Sequence, residues 1–376
     1  MLLNNRRILI IKPSSLGDIV HTLPVAHAIK RYFPGCSLGW VVQGAFAPLL
    51  QADDSIDTVY PVHIPSTSDP QAGRWAWLKA FKATLKTLQG LHHQFRQEPY
   101  DLILDLHASF RSGLLGSTNP GGQRAGFRQA KELNTFFQNH LINIPKKTEH
   151  AQDKNLLFCM YLGIKAAAED FHLCTEENDR QAIRQFLHSH MAADDGSPIV
   201  YANPAARWQS KFWPIAHWAA LVDKLQEKGI RVVFGGSHQD KEYISSIAGL
   251  MTTEPIIAAG HLTLPQSAAL IQHASLYIGP DSGPMHIAAL AGTPVAALFG
   301  PTHPSRVGPY SPKENEQHRR LIVRAEELDC LECRKRRCSH LSCMRKISPE
   351  MMYEAATSLL GSDAPFGKNS KQPTDA

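Results

Sequence analysis

The sequence reads GPDSGPMHIAALAGTPVAALFGPTHP from Gly279 to Pro304. A glycine-rich turn opens a helix near Ser282 or Gly283, and the apolar run PVAALFG after it is typical of a buried strand. LYIG, which ends at Gly279, is typical of another strand. A strand, a helix and a second strand in this order form the unit of a parallel sheet that is covered by helices on both faces.

The same alternation fills both halves of the 376-residue chain. The strand candidates are RILIIK, LGWVVQ, IDTVYPV and YDLILDL in the first half, and PIVYAN, IRVVFGG, LYIG and PVAALFG in the second. Helices are predicted between them, for example over residues 17–32, 214–227 and 264–273. Two such sets predict an α/β protein of two doubly wound domains, with a boundary between residues 162 and 195.

The composition excludes several classes of protein. Apolar residues make up 43% of the chain, which suits a globular protein, and no apolar run is long enough to span a membrane. The first residues lack the layout of a signal peptide, and seven cysteines do not suggest a secreted disulfide scaffold, so a cytoplasmic location is expected. A net charge of +5 does not by itself imply nucleic-acid binding.

The loop after the first strand, KPSSLGDIVHTLP, places Asp18 at the start of a helix. It is neither a Walker loop nor a dinucleotide fingerprint, and Pro13 stands where a nucleophile elbow needs its first glycine. Asp18 is therefore either the N-cap of the helix or a general base that faces a cleft. Parallel sheets bind ligands at this edge, beyond the carboxyl ends of their strands.

Two further strand ends carry candidate ligand-binding residues. Arg207 and Lys211 precede a helix in NPAARWQSKFWP, either as solvated charges or as partners of a phosphate. In the opening stretch, a helix N-terminus with free N–H groups also attracts a phosphate, to which His286 could donate, while Asp281 would accept from sugar hydroxyls. A capping aspartate and a packed histidine are the alternative, but together the two loops favour a nucleotide-diphosphate sugar.

These stretches resemble glycosyltransferase family 9, the ADP-heptose:lipopolysaccharide heptosyltransferases. KPSSLGDIVHTLP is similar to the family's N-terminal signature, NPAARWQSKFWP to its donor-domain entry, and GPDSGPMHIAALAGTPVAALFGPTHP to its most specific motif. The resemblance extends from about Arg7 to Met351. HTLP and AGRWAWLKAFK look most like heptosyltransferase I, whereas the late cysteines look more like heptosyltransferase II.

The resemblance implies a GT-B fold, in which two Rossmann-like domains face each other across a central cleft. Residues 1–172 would form the acceptor domain and residues 173–346 the nucleotide-sugar domain. A C-terminal helix over residues 347–360 would return to the first domain, ahead of a disordered tail over residues 361–376. The reaction would invert the anomeric centre and need no catalytic metal.

The resemblance also implies roles for single residues. Asp18 would be the general base, and Lys211 would offset the charge on the departing diphosphate. The residues expected to bind ADP-heptose are Arg207, Lys211, Asp240, Asp281, Ser282, Gly283 and His286. Those expected to bind the acceptor, Kdo-lipid A or a heptosylated core, are Ser15, Gly17, Arg74, Lys79, Lys82 and Arg111. The implied location is the cytoplasmic surface of the inner membrane.

The segment RWAWLKAFKATLKTL predicts an amphipathic helix. Trp77, Leu78, Phe81, Leu85 and Leu88 share one face, and Lys79, Lys82 and Lys86 share the opposite one. The apolar face is either a core stripe above a solvated basic face or a surface that meets an acidic glycolipid at the membrane.

Four late cysteines, Cys330, Cys333, Cys338 and Cys343, have the spacing C-x2-C-x4-C-x4-C. They could hold a structural zinc or iron ion, or they could be reduced thiols or one disulfide in a loop. Two other functions stay open: a different nucleotide-sugar transferase or epimerase on the same fold, and a metal- or redox-sensing protein built around these cysteines.

Overall fold

The computed structural model describes residues 3–63, 76–190, 196–312 and 314–363. Its strands form two six-stranded sheets, and every pair of neighbouring strands is parallel. Helices flank both sheets. In the described residues no helix has the length and apolarity to cross a membrane.

The first sheet has the strand order β3-β2-β1-β4-β5-β6. Its strands are β1 (Arg7–Ile11), β2 (Ser37–Gln43), β3 (Thr58–Val62), β4 (Leu102–Asp105), β5 (Gln123–Phe127) and β6 (His140–Ile142). Its helices are α1 (Leu16–Val20), α2 (Leu23–Tyr32), α3 (Ala47–Gln51), α4 (Ala76–Gln97), α5 (Phe110–Ser117) and α6 (Ala151–Tyr161). The strand order reverses beside β1, and a crevice at such a point is where doubly wound sheets bind ligands.

The second sheet repeats this topology with the order β12-β11-β10-β7-β8-β9. Its strands are β7 (Ile199–Ala202), β8 (Arg231–Phe234), β9 (Ile256–Ile257), β10 (Leu276–Pro280), β11 (Val295–Phe299) and β12 (Arg320–Arg324). The remaining helices are α7 (Glu177–His190), α8 (Ile215–Gln226), α9 (Lys241–Ala248), α10 (Leu264–His273), α11 (Gly283–Ala291), α12 (Pro304–Val307), α13 (Ser342–Arg345) and α14 (Pro349–Asp363). The predicted pair of doubly wound parallel sheets is confirmed.

The continuous helix predicted over residues 17–32 is wrong, because the structure divides it into α1 and α2. Pro24 lies in the first turn of α2 and has no N–H group to donate back to the preceding turn. Proline is well tolerated in a first helical turn, where N–H groups have no partner within the helix. The short α1 therefore ends beside the cleft, and its residues can face the second sheet.

The chain passes from the first set of helices to the second between Asp170 and Glu177. The helix α6 and the short 3-10 helix Ala168–Asp170 pack against α2, whereas α7 packs against α10. The hydroxyl of Thr175, in this connecting segment, donates a 2.9 Å hydrogen bond to the side-chain oxygen of Gln272 on α10.

The C-terminal helix does not return to the first domain, so that prediction is wrong for the described residues. The helix α14 packs against α8 and against strands β10, β11 and β12 of the second sheet. Its apolar side chains, among them Met352, Ala356 and Leu359, are buried in the core of that sheet. The helix also continues to Asp363, into the predicted disordered tail, and residues 364–376 lie outside the described residues.

Candidate active site between the two sheets

A cleft of about 760 Å³ lies where the carboxyl ends of the central strands of both sheets meet. The loop between β1 and α1 lines one side, and the loops that follow β7 and β10 line the other. Among the predicted site residues that reach the cleft are Asp18, Arg111, Lys211, Asp281, Gly283 and His286. The fold therefore brings together loops that are far apart in the sequence.

Asp18 lies in the first turn of α1, and 45% of its side chain is exposed. Its Oδ2 atom accepts hydrogen bonds from the backbone N–H of Ser15, at 3.0 Å, and from the Ser15 hydroxyl, at 2.7 Å. Ser15 is the N-cap of this helix, so the interpretation of Asp18 as the N-cap is wrong. These bonds fix the carboxylate at the wall of the cleft and leave Oδ1 outside the Ser15 contacts.

Lys12, which directly follows β1, is paired with the Asp18 carboxylate. Its Nζ atom lies 3.8 Å from Asp18 Oδ1 and donates a 2.7 Å hydrogen bond to the carbonyl oxygen of Leu106. Burial raises the pKa of Asp18, but the Lys12 ammonium and the bonds from Ser15 outweigh it and hold that pKa below its ordinary value. Asp18 is therefore a carboxylate at neutral pH.

An ion pair forms the opposite wall of the cleft. Lys211 Nζ donates to Asp281 Oδ2 at 2.6 Å and to the Asp281 carbonyl oxygen at 2.9 Å, and it lies 4.7 Å from the centre of the Trp208 ring. Both charged side chains are largely buried. Asp281 is thus engaged by a cation of its own domain, and Lys211 is held at the cleft by two acceptors.

His286 lies one turn into α11, beneath the turn at Ser282, and is buried. Its Nε2 atom lies 3.8 Å from Asp281 Oδ1, and its ring meets that of His21 edge to face at 4.2 Å. Burial lowers the pKa of His286 to about 4, so its imidazole is neutral near pH 7. The structure therefore places His286 in the contact between the two domains.

Two glycines allow α1 and α11 to approach closely across that contact. A Cβ atom on Gly17 would lie 2.5 Å from the His286 ring, and one on Gly283 would lie 2.7 Å from the Leu16 side chain. Both distances are shorter than non-bonded carbon atoms tolerate. The close approach puts the Asp18 turn opposite the N-terminus of α11.

Two cations that line the cleft and one that is buried behind its wall were missed by the sequence interpretation. The buried one is Lys12, which the first loop carries directly after β1. The others are Arg334 and Arg336, which line the cleft although they belong to the loop of the late cysteines. The carbonyl oxygen of Arg336 accepts from the backbone N–H of Ser210, which anchors this loop beside Lys211. The basic run RKRR was the available signal.

Other predicted site residues lie elsewhere or outside the description. The Asp240 carboxylate accepts hydrogen bonds from Ser237 in the loop after β8 and does not line the cleft. Lys82 is exposed on α4, also away from the cleft lining. Lys79 belongs to α4, but its side chain is outside the description, as is the whole of Arg74. Ser15, Gly17, Arg207 and Ser282 do line the cleft.

The late cysteines lie near one another, but their sulfur atoms do not converge on one point, so the metal site stays a prediction. All four are free thiols, Cys343 buried and Cys333 exposed. Within the described part of the chain, which includes all four, no three of their sulfur atoms lie within 4.8 Å of one another. A shared tetrahedral ion would need such a convergence.

The sequence model of glycosyltransferase family 9 (heptosyltransferase) matches residues 89–343. The chain belongs to this family. Lipopolysaccharide heptosyltransferase 3 of Escherichia coli K12 is 31% identical over 293 residues, which cover 76% of this chain and 80% of the relative. Lipopolysaccharide heptosyltransferase 1 of Pseudomonas aeruginosa is 28% identical over 345 residues, which cover 89% and 88%.

Solved structures of the family share the fold. A glycosyltransferase family 9 protein from Veillonella parvula has a TM-score of 0.79 at 24% identity, with 96% of this chain and 99% of that chain covered. E. coli heptosyltransferase WaaC with ADP-2-deoxy-2-fluoro heptose has a TM-score of 0.67 at 23% identity, with 95% and 100% covered. The predicted GT-B fold is confirmed, and the family member described here is a glycosyltransferase.

Proposed function

We propose that this glycosyltransferase moves L-glycero-D-manno-heptose from ADP-heptose to the Kdo, or to the first heptose, of the lipopolysaccharide inner core. The observation that carries the proposal is that a carboxylate and a set of cations line one cleft from opposite domains. The names of the relatives, which include lipopolysaccharide heptosyltransferases 1 and 3, support the sugar and the acceptor class. Residues 1–172 would bind the acceptor, and residues 173–346 would bind the donor.

The donor diphosphate would bind at the N-terminus of α11. Backbone N–H groups at Ser282 and Gly283 and the helix dipole favour negative charge there. Lys211 has three N–H donors, of which two bond to Asp281, and the third would reach a phosphate oxygen. Arg207 also lines this side of the cleft and would add a bidentate partner. The bound ADP-heptose analogue of the E. coli relative supports a nucleotide-sugar donor.

The transfer would be a single displacement. The acceptor hydroxyl attacks the anomeric carbon, its proton passes to Asp18 Oδ1, and the bond from that carbon to the diphosphate oxygen breaks. ADP leaves with the bonding pair, and Lys211 offsets the negative charge that grows on it. Because attack and departure occur on opposite faces of the sugar, the anomeric configuration inverts. The chain would supply both the base and the cation for this step.

The charge on Lys12 should set the acid limit of activity. Asp18 must be ionised to accept a proton, so activity is present above its lowered pKa and is lost as pH falls through that value. Replacing Lys12 by Met removes the cation that lowers this pKa and leaves the burial that raises it. We therefore expect the acid limb of kcat/KM against pH to move to higher pH.

The matched control for this prediction is Lys12→Arg, which keeps the positive charge and should leave the acid limb in place. Circular dichroism at each pH confirms that both variants are folded. An acid limb at the same pH in Lys12→Met and in the parent protein would show that another group limits the rate.

The transfer itself is tested by incubation with ADP-heptose and Kdo-lipid A, or with singly heptosylated Kdo-lipid A, followed by mass spectrometry. We expect a gain of one heptose mass on one of the two acceptors, which identifies the acceptor. No gain on either acceptor, together with turnover of another nucleotide sugar, would contradict the proposed substrate.

A membrane contact through α4 would bring the cleft to its lipid-anchored acceptor. The second half of this helix packs on the first sheet through Leu91 and Phe95, which are buried. Its first half instead exposes 63% of Phe81 and 45% of Leu85, so these two residues are not a core stripe. The exposed Lys82 beside them is typical of a helix that lies on an anionic membrane.

Replacing Phe81 and Leu85 together by Ser should weaken binding to vesicles of anionic phospholipid. Each side chain contributes about 1.5–3 kcal/mol when it is fully buried in an apolar phase. We expect a loss of affinity of about tenfold or more in vesicle sedimentation. Leu250→Ser, at an exposed leucine of the second domain, is the control and should bind as the parent does. Equal binding by all three proteins would contradict the membrane role of α4.

A further inference from the structure

Five residues unrelated to the cleft cluster where the chain passes between the domains. His27 on α2 is buried, and its ring stacks on that of His172 at 4.1 Å between centres. One ligand atom from each of His27, His172 and Cys174 lies within 4.8 Å of the others. Asp53, just after α3, places Oδ2 2.7 Å from His27 Nε2. Asp170 completes the cluster through its backbone carbonyl.

Both histidines are oriented in the same way by backbone carbonyl groups. His27 Nδ1 lies 2.7 Å from the carbonyl oxygen of Asp170, and His172 Nδ1 lies 2.8 Å from that of Glu169. Because a carbonyl oxygen only accepts, each Nδ1 carries a proton and donates. A neutral imidazole then presents a lone pair at Nε2. Metal-binding histidines are commonly oriented by a hydrogen bond of this kind from the other ring nitrogen.

The pair of His27 and Asp53 also needs a positive charge between its members. With Nδ1 already donating, Nε2 of a neutral His27 faces the Asp53 carboxylate with a lone pair. Two acceptors at 2.7 Å repel each other, so a proton lies between them when no metal is bound, and Zn²⁺ would replace that proton. The Cys174 thiol is hydrogen-bonded to the same carboxylate, so a third ligand type converges on this point.

We infer that His27, His172 and Cys174 bind a structural zinc ion in the segment between the two domains, with the neighbouring Asp53 as the fourth ligand after rotation of its side chain. Two imidazole nitrogens, a thiolate and a carboxylate oxygen are a donor set that tetrahedral Zn²⁺ accepts. Cys174 and Asp53 as anions would neutralise the ion's charge. Zn²⁺ at about 2.0–2.3 Å from each ligand places the ligand atoms roughly 3–4 Å apart. The ligand atoms of His27, His172 and Cys174 already lie within 4.8 Å of one another, and Asp53 would exchange its hydrogen bond with His27 for a bond to the ion.

The position of the site gives it a mechanical consequence. His172 and Cys174 belong to the segment that joins the two domains, whereas His27 and Asp53 belong to the first domain. A bound ion would hold the segment between the two domains against the first domain. It would therefore limit the movement of this segment when the cleft opens. His172 is exposed, so an ion can enter from solvent.

The test measures zinc in the full-length protein after loading with Zn²⁺ and removal of free metal. Inductively coupled plasma mass spectrometry should find about one zinc ion per chain. His172→Ala and Cys174→Ser should each lower the zinc affinity by about tenfold or more. Both side chains lie outside the hydrophobic core, and circular dichroism confirms folding. Cys333→Ser, at an exposed thiol of the late cysteine cluster, is the control and should retain the zinc.

Cobalt gives a second measurement that does not depend on affinity. Co²⁺ in this site should show tetrahedral visible bands and a thiolate charge-transfer band, and Cys174→Ser should remove the latter. An absence of zinc in the parent protein, or a loss of zinc in Cys333→Ser with full retention in Cys174→Ser, would overturn the inference. Transfer activity is not part of the readout, so the inference and the proposed function can fail separately.

Discussion

Asp18→Asn should lower kcat by about 10²–10⁴-fold and change donor affinity by less than about threefold. An asparagine has the same shape, and its carbonyl oxygen can still accept the hydrogen bonds from Ser15. Its amide cannot take a proton from an acceptor hydroxyl. Steady-state transfer kinetics measure kcat, and titration calorimetry with ADP measures the donor site.

The control for this prediction is Glu98→Gln, which neutralises a carboxylate of the same domain. Glu98 precedes β4 and so lies near the amino ends of the strands, whereas Asp18 lies beyond their carboxyl ends. The side chain of Glu98 is 72% exposed. Its kcat should equal that of the parent. An active Asp18→Asn protein, or one that loses ADP binding in parallel with kcat, would contradict the role of Asp18 as base.

Lys211→Met should lower kcat/KM by about 10²–10³-fold, the usual cost of removing one donor that stabilises a developing anion. It should also lower the free energy of unfolding by about 3–5 kcal/mol, because the buried Asp281 carboxylate loses its partner. Transfer kinetics and denaturant unfolding measure the two effects separately.

A double variant separates chemistry from stability. Adding Asp281→Asn to Lys211→Met removes the unpaired charge, so most of the stability should return while kcat/KM stays low. Recovery of activity in the double variant would mean that Lys211 acts only by holding Asp281, and it would contradict a direct contact with the departing diphosphate.

Much of the fold could be predicted because strand and helix patterns are local. The apolar runs that form β1, β7, β10 and β11 are bounded by turns. Because the strands of each sheet are parallel, each of these strands ends in a loop on the carboxyl side of its own sheet. Asp18 and Lys211 could be named because they lie in the connections that follow such strands, before or at the start of the next helix. Their common cleft then follows from the way the two sheets face each other.

What the sequence did not predict depends on contacts between distant segments. The side on which α14 packs depends on which sheet has an apolar face for Met352 and Leu359 to fill. Arg336 reaches the cleft through a backbone contact with Ser210 that no periodicity encodes. The exposure of Phe81 depends on where α4 leaves the sheet. A helical wheel places Phe81 and Leu91 together among the apolar residues of α4, so it does not predict that Leu91 is buried and Phe81 is exposed.

The most direct test of the central claim is a crystal structure of this protein with a fluorinated ADP-heptose analogue. The account predicts the diphosphate at the N-terminus of α11 beside Lys211, and the anomeric carbon between it and Asp18, with room for one acceptor hydroxyl. A diphosphate bound elsewhere, or one that leaves on the same face of the sugar as Asp18, would contradict it.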